Sequence, residues 1–74
     1  MTITVMESRR TKKLVEVANV VKTFKTDAEV DLYLEKRIEE LKGENFVQLE
    51  GGLKSFIRLE NGEEVIFLEI DYIF

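Results

Sequence analysis

The chain has no cysteine, no histidine and no proline. Without cysteine there is no disulfide to staple a small core, and without histidine the most common zinc ligand is missing. The same two absences rule out Ser-His-Asp and Cys-His nucleophile arrangements, and the only serine hydroxyls are those of Ser8 and Ser55. No apolar run approaches the roughly 18 residues that a conventional membrane-spanning helix needs. The opening MTITVMESRRTKK places its charges after a short apolar stretch, the reverse of a secretory signal. These absences lead to the expectation of a soluble cytoplasmic protein, with no membrane contact, no cofactor and no enzymatic activity.

What is present is a globular composition: 74 residues, 45% apolar and 35% charged. A chain of this length forms one domain, residues 1–74, and buries only about 60% of its extended-chain surface. Tight packing or self-association has to supply the rest of its stability. The net charge of -4 is unevenly spread. Residues 1–25 carry six basic and two acidic side chains, and residues 26–74 carry five basic and thirteen acidic ones, so the two parts are +4 and -8.

TITVM at 2–6 alternates, with Ile3 and Val5 on one side, and reads as a short strand. ESRRTKK at 7–13 reads as a polar break. LVEVANVVKTF at 14–24 reads as a longer strand, bulged near Ala18 and Asn19, giving a hairpin with Arg9, Arg10, Lys12 and Lys13 at its tip. Thr26 followed by Glu29 is a capping-box pattern, and the spacing of Val30, Tyr33, Leu34, Ile38 and Leu41 predicts an amphipathic helix over about 27–42 with Gly43 as its left-handed terminator. Three strands follow, at 45–50, 53–60 and 63–74. Gly51-Gly52 and Asn61-Gly62 fit two-residue type I′ hairpin turns between them.

Those turns predict Val47 opposite Phe56, Phe56 opposite Phe67, and Lys54 opposite Glu69. One sheet face then receives Phe46, Leu53, Ile57, Leu59, Ile66, Leu68, Ile70, Tyr72 and Phe74. The other receives Val47, Leu49, Phe56, Val65, Phe67 and Ile73 among Lys54, Arg58, Glu69 and Asp71. The expected fold is α+β, a single two-layer domain with one helix on a mainly antiparallel four- or five-stranded sheet, in the order ββαβββ or βαβββ. A single helix cannot cover both faces, so the second apolar face is the anomaly.

Glu69 and Asp71 could in principle hold a cation, but on a half-covered sheet face they read as solvating charges. Glu60, Glu63 and Glu64 read as a charged turn that discourages edge association. The expected function is a small noncatalytic protein-interaction domain, homo-oligomeric or bound to another protein. Its candidate interface is Val47, Lys54, Phe56, Arg58, Val65, Phe67 and Glu69, an apolar centre with a polar rim. The alternatives are an acidic inhibitor or nucleic-acid mimic seated in a basic site on another protein, and a nucleic-acid accessory protein whose Arg9, Arg10, Lys12 and Lys13 meet phosphate or an acidic surface.

Overall fold

A computed structural model describes residues 1–52 and 56–74, with side chains described outside 50–52. The elements are β1 (Thr2–Thr11), β2 (Glu16–Phe24), α1 (Asp27–Gly43), β3 (Val47–Gly52), β4 (Phe56–Glu60) and β5 (Glu64–Ile73). The five strands form one sheet in the order β2-β1-β5-β4-β3, with every ladder antiparallel, and α1 packs on one face. The fold is a small α+β domain of order ββαβββ.

The helix starts where its capping chemistry dictates. Thr26 is the N-cap, its hydroxyl oxygen accepting from the Glu29 amide at 3.2 Å while its hydroxyl donates to the Glu29 carboxylate at 3.0 Å. Thr26→Ala should therefore cost about 1 kcal/mol in urea unfolding, with Thr26→Ser close to wild type. At the other end the left-handed residue is Asn45, φ 69°, rather than Gly43, which is the last helical residue. Phe46 N–H donates to the Leu41 carbonyl at 3.0 Å and Asn45 N–H to the Lys42 carbonyl at 3.1 Å. That is a Schellman motif, closed by Phe46 packing in the core with Leu41.

The core lies between α1 and the inner strands: Ile3 and Val5 of β1, Ile57 and Leu59 of β4, Ile66, Leu68 and Ile70 of β5, and Val30, Leu34 and Leu41 of the helix. The expected helix-facing set holds, with Tyr33, Ile38 and Tyr72 packed at its margin. One of its members departs, Phe74, which lies past the end of β5 and is 97% exposed; Leu53 falls outside the described residues.

Of the expected polar break at residues 7–13, residues 7–11 are instead the second half of β1. It stays extended because each polar group finds a partner on its own side of the sheet. Glu7 meets Arg37 of the helix, Arg9 meets Glu44, and Arg10 donates to Ser8. The reversal that follows is confined to residues 12–15. Leu14 takes φ 64°, Leu14 N–H donates to the Thr11 carbonyl, and Thr11 N–H donates to the Val15 carbonyl. The bulge occurs opposite the Arg9/Arg10 step, where Ala18 and Glu16 are partners and Val17 is the extra residue, one position before the expected site.

Both later hairpins differ in register from the two-residue turns expected. The Asn61 side chain accepts from the Glu63 and Glu64 amides at 2.8 and 2.7 Å, and Asn61 N–H donates to the Glu64 carbonyl. This Asx turn puts Asn61 at the corner of the reversal, and neither Asn61 nor Gly62 adopts the positive φ that a type I′ turn centred on them would need. Phe56 consequently sits opposite Glu69, and Phe67 opposite Arg58. Gly51 and Gly52 are ladder residues of β3, paired with Ile57 and Phe56, so Val47 faces Glu60 instead of Phe56. The turn expected at Gly51-Gly52 is therefore absent, and the strand start expected at Leu53, Lys54 and Ser55 lies outside the described residues. Displacing the β4–β5 register by two residues keeps every side chain on its expected face.

Candidate interaction surface

The sheet face away from α1 has no element over it among the described residues, because the N-terminal hairpin extends the sheet sideways instead of folding across it. Across this face run Thr4, Met6, Ser8 and Arg10 of β1, Val65, Phe67, Glu69, Asp71 and Ile73 of β5, and Phe56, Arg58 and Glu60 of β4. Its centre is aromatic. The Phe56 and Phe67 rings lie diagonally across the ladder with centroids 5.6 Å apart, and the Arg10 guanidinium stands 5.8 Å from the Phe67 centroid. Both rings are half-buried, Val65 is buried, and Val47 and Ile73 are exposed.

Of the candidate interface residues, Val47, Phe56, Arg58, Val65, Phe67 and Glu69 share this face, whereas Lys54 is outside the described residues, so its pairing with Glu69 is not described; Glu69 itself faces Met6 and Phe56. The four basic candidates do not form one tip. Arg9 and Arg10 are inside β1 and point to opposite faces, because consecutive strand residues alternate. Only Lys12 and Lys13 lie in the turn. Arg9 reaches Glu44 at 3.5 Å with its guanidinium over the Phe46 ring, and Lys12 reaches Glu60 at 2.9 Å.

Glu60 is the meeting point of two cations, Lys12 from the β1–β2 turn and Arg58 at 3.1 Å. The hydrogen bond from Lys12, then that from Arg58, hold its carboxyl below the ordinary value of 4.5. A carboxylate with a lowered folded-state pKa stabilises the fold above its unfolded value, and that contribution disappears as pH falls through the folded one. Carboxyl NMR should place the Glu60 midpoint below 4.5, and Lys12→Met should move it upward.

The sequence reading missed Glu7 and Arg37. Arg37 donates from Nε and Nη2 to the two Glu7 oxygens, 2.7 Å each, in a forked pair under the helix. This bond to Glu7 raises the Arg37 pKa, so the guanidinium stays charged. The signal was available in the spacing: Glu7 continues the alternation of Ile3 and Val5, and Arg37 falls on the helix stripe between Leu34 and Leu41. The pair floors a groove of about 280 Å³ between α1 and β2, lined also by Val20, Lys22, Tyr33 and Glu40. Burial, followed by the Glu7 charge, pushes the Tyr33 phenol up from its ordinary value. Glu7 and Arg37 satisfy each other at this groove through their two hydrogen bonds.

Among the described residues no group of three or more metal-ligating side chains converges, and no helix is long and apolar enough to cross a membrane. No protein-family model, curated protein or solved structure matches the chain, and the surface is therefore read from its own chemistry.

Proposed function

We propose that this is a noncatalytic protein-interaction domain that self-associates through its sheet. The observation that supports this reading most directly is the mismatch of layers: one helix on a five-stranded sheet leaves the Met6, Val21, Phe56, Phe67 side without a second layer. Half-buried aromatics ringed by Arg10, Arg58, Glu69 and Asp71 have the make-up of an interface centre with an orienting rim. A domain of this size also gains most from adding apolar contact outside its own chain.

Sedimentation velocity over a wide concentration range tests it. The expected result is a reversible shift from one to two protomers. A sedimentation coefficient that stays at the protomer value throughout would overturn the reading.

A further inference from the structure

The edges of the sheet are unlike one another. β3 is six residues long, is bulged between Gln48 and Glu50, and ends in Gly51-Gly52, devices that blunt an edge against pairing. β2 at the other edge is nine residues long, and from Ala18 to Phe24 its ladder to β1 is regular. In that stretch Lys22, its one charge, is the only such device: there is no proline and no bulge, and Val20 and Val21 are exposed. An edge strand presents a row of backbone N–H and C=O groups ready for another strand.

We infer that two copies of this chain join β2 to β2 in antiparallel fashion about a two-fold axis at Val21, giving one continuous ten-stranded sheet. This rests on the self-association reading above but seats the contact on the β2 edge, which leaves the Phe56–Phe67 face open in the dimer. A two-fold that keeps both helices on one side of the joint sheet pairs only residues of the same face, which restricts the axis to a residue and excludes positions between residues. With the axis at Val21 the whole regular stretch pairs with itself. Val21 meets Val21 of the other copy, Asn19 meets Thr23, Ala18 meets Phe24, and Val20 meets the aliphatic stem of Lys22. Polar groups fall against polar groups, the smallest side chain falls against the largest, and the Val17 bulge stays outside the paired segment.

Charge favours the same arrangement. Arg37 marks the row of Glu7 and Val20 on the helix, and Glu44 marks the row of Arg9 and Ala18, so Glu40 lies between those rows, lining the groove 3.9 Å from the Arg37 guanidinium. Lys22 of the second copy, opposite Val20, arrives beside Glu40, whose side chain is 56% exposed. A pairing of β2 with β3 of another copy would be head-to-tail and would propagate into fibres, whereas the two-fold closes.

Val21→Cys tests the register in a chain that has no other cysteine. Directly opposed antiparallel residues have Cα atoms about 4.5–5.5 Å apart, inside the disulfide range. Mild oxidation should give a covalent dimer from Val21→Cys and little from Asn19→Cys, whose copies stand four residues apart along the strand, roughly 13 Å. Val21→Lys, a change at a position 54% exposed, should retain the circular dichroism of the wild type and raise the dimer dissociation constant at least tenfold, while Val21→Thr leaves it near wild type. A wild-type dimer that ignores Val21→Lys, with Val21→Cys cross-linking no faster than Asn19→Cys, would overturn the edge pairing and leave self-association through another surface standing. A wild-type protein that never dimerises would overturn both.

Discussion

Leu68→Ala should leave little folded protein. Leu68 is fully buried on β5, the middle strand of the sheet, flanked by Ile57 and Glu7 and covered by the helix. Removing its branched end loses transfer free energy and leaves a cavity, together about 2–5 kcal/mol. A single-core domain of this length rarely holds more than about 3–5 kcal/mol in total. Urea titration followed by circular dichroism should show a midpoint close to zero denaturant or no folded baseline. Leu32→Ala is the matched control: Leu32 is on the same chain's helix but 69% exposed, and its loss should move stability by no more than about 0.5 kcal/mol. A folded Leu68→Ala protein with a midpoint near wild type would mean that the helix does not close over β5 as described.

The second large effect is expected at Arg37. Truncating it to alanine leaves the Glu7 carboxylate, whose side chain is 9% exposed, without its forked partner. Breaking a buried ion pair from one side costs about 3 kcal/mol, the low end being appropriate because Arg37 keeps one edge in water. Replacing both members with apolar groups of similar size, Glu7→Leu with Arg37→Met, removes the stranded charge and should recover most of that loss. The double-mutant cycle read by urea unfolding checks this, since a coupling energy near zero would show that the pair is an incidental surface contact.

The helix and the division of the strands into two faces follow from local pattern. Thr26 and Glu29 can cap only one helix start, and Val30, Leu34 and Leu41 share a stripe in any helix that contains them. Alternation in IRLE and VIFLEI commits Ile57, Leu59, Ile66 and Leu68 to one side, and the two-residue shift between β4 and β5 leaves that commitment intact. For the same reason Phe56 and Phe67 stay on the uncovered face even though they meet diagonally instead of head-on.

What local pattern could not decide is everything that depends on a partner distant in the chain. ESRR looks like a break because its polarity is visible and its partners are not: Arg37 lies 30 residues from Glu7, and Glu44 lies 35 from Arg9. Turn centres depend on which group takes the orphan amides, and at Asn61 a side-chain oxygen outcompetes the backbone geometry that Asn-Gly usually signals. The place of β2 at the sheet edge is likewise a tertiary outcome, since β5 takes the other side of β1 and leaves the far side of β2 without a neighbouring strand. Which residues share a face is written in the local alternation, because side-chain periodicity is a property of the backbone alone. Which face and which edge remain open emerges with the assembled sheet, because that depends on how five strands divide a single helix between them.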